Sequence, residues 1–313
     1  MNDVTNRSIS KKTQFAVGGK DQGKRLDLWL NQKMAGRSRG DIKRLLDNGA
    51  VFVNHKKVYI SGWKVNAGDK VEVRDIKKKK GSSGKKTGLF VKIIHEDSDI
   101  IVVDKPSGII SVPHKDSSGT TMMDCVRDYL RRKYKESKGA FLYPVHRLDA
   151  ETSGVMVFAK SGKAKSLEDL FRSHFIEREY LAVVSGRLQN NQGRIDMPVE
   201  KGKFSGGQRA RVSSEGKKAV TDFDVKERYR NATLVELTAH TGRTHQLRIH
   251  LAGIGHPIIG DKVYGDNSFA FPRQALHSSM LGFQHPATRK MVRYRSELPE
   301  DIKTLVDSLR DDV

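Results

Sequence analysis

A lysine-rich segment divides this sequence into two unequal parts. Residues Lys77 to Gly88 read KKKKGSSGKKTG, with six lysines and no acidic residue. A run that is poor in apolar residues and rich in glycine and serine predicts a flexible linker. The full length of 313 residues also exceeds that of one average domain. We therefore expect a flexible tail over residues 1–22, a small domain over 23–76, this linker over 77–88 and a larger domain over 89–313.

The net charge of the chain indicates what kind of molecule it binds. The chain has 58 lysines and arginines against 37 acidic residues, which gives a net charge of +21. Such an excess favours a polyanionic partner, and nucleic acid is the commonest one.

The rest of the composition favours a protein of the cytoplasm. The single cysteine, Cys125, cannot form an internal disulfide and cannot by itself hold a zinc ion. No apolar stretch approaches the ~20 residues of a membrane-spanning helix. The N-terminal residues MNDVTNRSISKKTQ have no apolar segment behind their charges, unlike a secretory signal. We expect a cytoplasmic location and no membrane partner.

The segment from Gly23 to Ile76 has the pattern of two short helices followed by strands. Ser38 and Asp41 stand at the spacing of a capping box ahead of the second helix. Residues 51–53 and Val58 predict strands, with residues 54–57 as the turn between them. The segment therefore predicts a small α/β domain.

The polar side of the second helix carries Arg39, Lys43 and Arg44. This basic face suits RNA, although a solvated charged surface has the same composition. The order RLDLWL, SR, IKRLLDNGAVFVN and VNAGDKVEV resembles the S4-like RNA-binding domain, named for a ribosomal protein. In that domain the second helix and the following turn face RNA, so the resemblance implies that these three residues bind RNA.

Beyond the linker, strand and helix patterns are mingled without regular alternation. Apolar runs predict strands over residues 90–95, 100–104, 155–159, 180–185 and 234–239. Helical spacing predicts helices over 121–134, 164–171, 247–254 and 302–309. Since no βα fingerprint repeats, the pattern favours an α+β fold with a mixed or antiparallel sheet.

Familiar cofactor and metal motifs are missing from the sequence. The segment Gly81–Thr87 lacks the spacing of a phosphate-binding loop, and neither H-E-x-x-H nor G-x-S-x-G occurs. What remains is a polar loop between two apolar strands, with Arg147, Asp149 and Glu151, and a distant strand–loop–helix junction with Arg243. Catalytic groups commonly lie on such loops. An ordinary turn or helix cap fits the same residues.

A resemblance favours the catalytic interpretation. HRLDAETSG, from His146 to Gly154, resembles the signature H-R-L-D-x-x-T-S-G of the RluA family of RNA pseudouridine synthases. Four more segments follow the family's order: DKPSG from Asp104, REYLA from Arg178, TGRTHQLRIHLAGIGHPIIGD from Thr241 and LHS from Leu276. The resemblance covers roughly residues 90–295 and implies the pseudouridine synthase fold.

The resemblance also implies a reaction and a set of roles. Pseudouridine formation breaks the glycosidic bond of uridine and rejoins the base through its carbon 5, so it needs no cofactor and no metal. One carboxylate suffices, either attacking the anomeric carbon or removing the 2′ proton. That carboxylate is implied to be Asp149, with Arg243 as the partner that favours its charged form. Tyr180 is implied to stack on the base, Leu276 to form an apolar wall, and Arg147 to fill the gap left by the extruded base.

An N-terminal module of this type resembles those of enzymes that act on large-subunit ribosomal RNA, so we expect that RNA as the partner. We also expect a monomer. Two alternatives stay open. One is a metal-dependent RNA hydrolase with His146, Asp149, His245 and His250 as ligands. The other is a non-catalytic RNA-binding or ribosome-assembly factor on the same fold.

Overall fold

The computed structural model describes residues 13–34, 36–47, 50–58, 62–74, 91–113, 119–135, 141–173, 175–202, 210–265 and 269–311. The chain groups into two compact units, Met1–Phe90 with Val112–Leu142, and Val91–Ser111 with Tyr143–Val313. The predicted linker lies outside the described residues, so the domain limits around it stay predictions.

In the residues that the structure describes, the first unit contains a small antiparallel sheet and three α-helices. Its elements are β1 (Thr13–Ala16), a 3-10 turn (Gly19–Asp21), α1 (Leu26–Lys33), α2 (Arg39–Asp47), β2 (Val51–Val53), β3 (Lys56–Lys57), β4 (Lys70–Val73) and α3 (Met122–Tyr134). The strand order is β1-β4-β2-β3. Apolar side chains of α1, α2 and the strands form one core, which includes Trp29, Ile42 and Val71.

The structure corrects two expectations in this unit. The predicted flexible tail is wrong over Thr13–Ala16, because these residues pair with β4. The predicted four-residue turn is also shorter, since Lys56–Lys57 pairs with β2 as β3. Residues 1–12 lie outside the described residues. The capping box is confirmed: the Asp41 N–H donates to Ser38 Oγ at 3.2 Å, and the Ser38 N–H donates to Asp41 Oδ2 at 2.9 Å.

The second unit contains twelve strands and three α-helices in its described part. The strands are β5 (Lys92–Glu96), β6 (Ile100–Lys105), β7 (Tyr143–Pro144), β8 (Ser153–Ala159), β9 (Ile176–Ser185), β10 (Gln192–Asp196), β11 (Val199–Lys201), β12 (Ala210–Val212), β13 (Val220–Arg228), β14 (Ala232–Ala239), β15 (Leu276–Gln284) and β16 (Met291–Arg295). The helices are α4 (Ala164–Arg172), α5 (Gln246–Gly253) and α6 (Glu300–Asp311).

A large mixed sheet forms the centre of this unit. Its order is β10-β13-β14-β9-β15-β8-β6-β5, with β16 beside β15 and β7 beside β8, while β11 and β12 form a separate two-stranded antiparallel sheet. The β8–β15 pair is parallel and its neighbours are antiparallel. The α+β fold with a mixed sheet is thus confirmed. No helix in the described part of the chain is long and apolar enough to span a membrane.

The parallel contact between β8 and β15 depends on a glycine. Gly154 has φ +113°, and a Cβ atom there would collide with the carbonyl oxygen of Ser278. Only glycine adopts such a backbone conformation without strain. This close approach positions the polar loop that precedes β8 beside the start of β15.

Candidate active site

One cavity gathers the catalytic and substrate-binding side chains that the family resemblance implied for the larger domain. It has a volume of about 460 Å³ and lies between the loop before β8, α4, β9, the β14–α5 junction and the start of β15. Arg147, Asp149, Tyr180, Arg243 and Leu276 all line it. Residues far apart in sequence therefore form a single site.

The carboxylate of Asp149 contacts an arginine other than the expected one. Its Oδ2 accepts a hydrogen bond from Arg248 Nη1 at 3.1 Å, and the Asp149 side chain is 26% exposed. Arg243 instead donates from Nε to the carbonyl oxygen of Lys218 at 3.0 Å. The expectation that Arg243 pairs with Asp149 is therefore wrong. Arg243 precedes α5, whereas Arg248 lies within this buried helix and reaches the carboxylate from there.

A second carboxylate fixes the orientation of Arg248. Asp261 accepts from Arg248 Nε at 2.6 Å and from Nη2 at 2.8 Å, which leaves Nη1 for Asp149. Asp261 also accepts the backbone N–H groups of Val263 and Tyr264. Burial opposes the charge of Arg248, but its bonds to Asp261 hold the pKa of Arg248 above the ordinary value. The two parallel hydrogen bonds to Asp261 therefore fix the orientation of the planar Arg248 guanidinium as well as favouring its charge.

A buried lysine anchors the loop that carries Asp149. Lys105 Nζ donates to the carbonyl oxygens of Pro106, Ile109 and Ala150 at 2.9, 2.8 and 2.9 Å. These acceptors use the three protons of one ammonium group. Burial lowers the pKa of Lys105 to about 7, although the carboxylates of Asp149 and Glu151 oppose the shift. The backbone beside Asp149 is thereby tied to the end of β6.

Two further side chains hold the same loop. Ser111 Oγ donates to the carbonyl oxygen of Leu148 at 2.6 Å and accepts the Leu148 N–H at 3.0 Å. Arg273 Nη1 donates to the carbonyl oxygen of Glu151 at 3.0 Å. The reactive geometry is therefore set before any substrate arrives.

The opposite wall offers apolar surface. Tyr180 lies on β9, paired with Ser278 of β15 and Leu237 of β14. Burial raises the pKa of Tyr180, so its hydroxyl keeps its proton near neutrality. Leu276 is 3% exposed at the start of β15. A flat ring fits against such a surface.

The lining of the cavity is rich in cations. Arg147 is exposed, and Arg172, Arg178 and Lys201 also belong to this lining. Arg178 is 8% exposed, and its guanidinium lies 5.4 Å from the centroid of the Phe171 ring. Positive side chains around a cavity attract phosphate groups.

The four metal ligands proposed as an alternative do not converge. Both ring nitrogens of His250 are engaged, Nδ1 with Thr221 Oγ1 and Nε2 with the carbonyl oxygen of Met197, each at 3.0 Å. His146 Nε2 accepts the Val157 N–H at 3.0 Å. Within the residues that the structure describes, no group of three or more His, Cys, Asp and Glu side chains could hold a metal ion.

The predicted RNA-binding residues of the first unit lie on α2. Arg39 and Lys43 are exposed. The side chain of Arg44 lies outside the described residues. Their role in RNA binding stays a prediction.

Sequence reasoning missed two side chains that organise the site, Arg248 and Asp261. Both lie inside the segment from Thr241 that carried the family resemblance. A usable signal exists for Arg248, since it is a charged residue in a short helix whose residues 246–251 are all buried. A buried arginine requires a partner, and this one has two carboxylates.

Two known families match parts of this chain. Residues 99–253 match the family described as RNA pseudouridylate synthase, and residues 24–71 match the S4 domain. An uncharacterized RNA pseudouridine synthase of Aquifex aeolicus is 34% identical over 97% of this chain and 98% of the relative. Ribosomal large subunit pseudouridine synthase C of Escherichia coli is 35% identical over 94% of this chain and 96% of the relative.

A solved structure adds the same fold. Human RNA Pseudouridylate Synthase Domain Containing 4 has a TM-score of 0.58 and 26% identity, and covers 70% of this chain and 93% of its own. Sequence relatives that match nearly end to end, together with this fold, identify the family. The chain belongs to the RNA pseudouridine synthases of the RluA family and carries an S4 domain ahead of the synthase domain.

Proposed function

We propose that this RNA pseudouridine synthase isomerises specific uridines of large-subunit ribosomal RNA through the carboxylate of Asp149. The observation that carries the proposal is the ordered row Asp149–Arg248–Asp261, whose first two members line a cavity of about 460 Å³. A cavity of that size accommodates one nucleotide. The relative named as a large-subunit ribosomal enzyme supports the choice of RNA.

Asp149 supplies the reactive oxygen. Arg248 binds Oδ2, and among the described residues no side chain hydrogen-bonds Oδ1, which is left for the sugar. Attack on the anomeric carbon and removal of the 2′ proton both require an ionised carboxylate at this position. A charge that is oriented in advance costs little reorganisation during the reaction.

The extruded base packs in the apolar part of the cavity. Tyr180 and Leu276 form its wall, and the detached uracil turns there until carbon 5 faces the sugar. Removing a base from its stack costs a few kcal/mol. Arg147, exposed in the lining of the cavity, offsets part of that cost by stacking in the vacated position.

The S4 domain provides a second binding site for the RNA. Arg39, Lys43 and Arg44 of α2 bind phosphates and raise the effective concentration of target uridines at the cavity. The enzyme acts as a monomer in the cytoplasm.

Turnover on defined RNA tests the proposal. Purified wild-type protein, Asp149→Asn and the neighbouring control Glu151→Gln are incubated with transcripts of large-subunit and small-subunit ribosomal RNA. Pseudouridine is then mapped chemically. We expect wild type and the control to modify the large-subunit transcript at discrete uridines, and Asp149→Asn to modify none while binding the RNA equally well.

Two results contradict the proposal. Activity of Asp149→Asn within tenfold of wild type refutes the role of the carboxylate. Modification confined to the small-subunit transcript refutes the proposed substrate.

A further inference from the structure

The cavity holds an imidazole, that of His245, whose Nε2 lies 3.7 Å from Asp149 Oδ2. His245 caps the N-terminus of α5 in the left-handed conformation, with φ 54° and ψ 21°. Non-glycine residues seldom adopt this conformation, and strain of this kind persists where the surroundings hold it, commonly at functional sites. The backbone at this position thus directs an imidazole at the reactive carboxylate.

Hydrogen bonds on the far side of the ring fix its tautomer. Tyr264 Oη donates its single proton to the carbonyl oxygen of Ala210 at 2.9 Å. His245 Nδ1 lies 3.0 Å from the same Oη. Both contacts are satisfied together when Nδ1–H donates to Oη, and we assign the proton to Nδ1 on that ground. The neutral ring therefore carries its proton on Nδ1 and presents a lone pair on Nε2 to the cavity.

The charges around the ring leave it neutral near pH 7. Burial lowers the pKa of His245, against the attraction of Asp149 and Asp261, while Arg248 and Arg147 add to the lowering. Two acceptors, Nε2 and Asp149 Oδ2, thus face each other beyond hydrogen-bond distance. Since Oδ2 already accepts from Arg248 Nη1, a hydroxyl group of a bound molecule can donate to Nε2.

The reaction indicates which donor that is. Under the proposed function, on which this step rests, Asp149 works at carbon 1′ or carbon 2′ of the ribose. The hydroxyl nearest to both carbons is the 2′-hydroxyl. We propose that His245 Nε2 accepts a hydrogen bond from the 2′-hydroxyl of the target uridine and so selects ribose over deoxyribose. The 2′-hydroxyl is the group by which a protein distinguishes RNA from DNA at one site.

A paired substrate test separates this contact from a structural role in α5. Two short RNAs copy a modified site of the ribosomal RNA, one with uridine and one with 2′-deoxyuridine at the target. Single-turnover rates at saturating enzyme are measured for wild type, His245→Gly and His245→Asn. Glycine and asparagine both tolerate the left-handed backbone, so either variant keeps the start of α5.

The expected result is a loss of discrimination. Each variant should react roughly tenfold more slowly with the ribose substrate, the cost of one hydrogen bond to a buried acceptor. In wild type, the 2′-deoxyuridine RNA should react more slowly than the uridine RNA, and this rate ratio is the 2′-deoxy penalty. In each variant the penalty should shrink by the same factor, as a double-mutant cycle requires for two groups in contact. Glu151→Gln, an exposed carboxylate on the adjacent loop, should keep the full wild-type penalty.

An equal 2′-deoxy penalty in wild type and in both variants overturns the inference and leaves the proposed function intact. Absence of wild-type turnover on any ribosomal RNA overturns the proposed function itself, and the inference with it. A reduced penalty in either folded variant supports the contact.

Discussion

Replacing Arg248 by lysine tests which arginine of the segment from Thr241 serves the reactive carboxylate. The guanidinium makes two bonds to Asp261, at 2.6 and 2.8 Å, and a third to Asp149 at 3.1 Å. A lysine ammonium keeps the charge but lacks the planar fork that serves two carboxylates at once. We expect the ammonium to stay with the 1% exposed Asp261 and to leave Asp149 without its partner.

The size of the effect follows from the lost bond. A hydrogen bond between charged groups contributes about 1.5–3 kcal/mol. Since about 1.4 kcal/mol corresponds to a tenfold change in rate, Arg248→Lys should slow the chemical step by roughly 10- to 150-fold. Lysine is preferable to methionine, because an unpaired buried Asp261 would destabilise the fold by about 3–5 kcal/mol and obscure the result.

The assay compares single-turnover rates at saturating enzyme for wild type, Arg248→Lys and the matched Arg243→Lys. Thermal unfolding monitored by circular dichroism controls for stability. Arg243→Lys should keep a chemical rate close to that of wild type, because Arg243 bonds the carbonyl oxygen of Lys218 rather than Asp149. An equal loss in both variants, or a loss confined to Arg243→Lys, would refute the reasoning.

Three further predictions concern stability and affinity. Gly154→Ala should lower the free energy of unfolding by about 2 kcal/mol or more, because the added Cβ would collide with Ser278 at a residue of positive φ. The control variant Gly162→Ala should melt like wild type, because no atom lies within 4 Å of the added Cβ. Burial lowers the pKa of Lys105 from 10.5 to about 7, so the folded chain binds fewer protons than the unfolded chain between these values. The free energy of unfolding should therefore rise with pH in that window, and Lys105→Met should show a smaller rise. Neutralising Arg39, Lys43 and Arg44 together should make the salt dependence of RNA binding shallower by up to about 0.7–0.9 in log–log slope per lost phosphate contact.

Each of these predictions has a result that contradicts it. Equal melting of the two glycine variants would show that the approach of β8 to β15 is not limiting. An unchanged pH slope in Lys105→Met would show that the lysine is not the titrating group. Arg310→Gln, on α6 far along the chain, is the control for the triple variant. An unchanged salt dependence of RNA binding in the triple variant would show that α2 does not contact the RNA.

The sequence predicted well those elements whose own residues determine them. The run from Val155 to Ala159 is apolar throughout, and it forms the buried core of β8. The capping box at Ser38 and Asp41 acts within four residues, so its spacing was sufficient. Strand β1 was missed because four residues without a continuous apolar run become a strand only through pairing with β4.

In the site, too, the side chains whose contacts depend on distant parts of the chain were not predicted from the sequence. Sequence and family resemblance gathered Asp149, Tyr180 and Leu276, and the structure places all three in one cavity. Arg243 and Arg248 are five residues apart, so only the direction of α5 decides which reaches the carboxylate. The contribution of Asp261 depends on a turn that follows this helix, and no local pattern reveals it.

We propose that the protein isomerises uridines of large-subunit ribosomal RNA through the carboxylate of Asp149. The most direct measurement maps pseudouridines in ribosomal RNA from cells that lack this protein and from the same cells supplied with wild type or with Asp149→Asn. We expect discrete large-subunit pseudouridines to disappear without the protein, to return with wild type and to stay absent with Asp149→Asn. An unchanged map in the cells that lack the protein, or full restoration by Asp149→Asn, would contradict it.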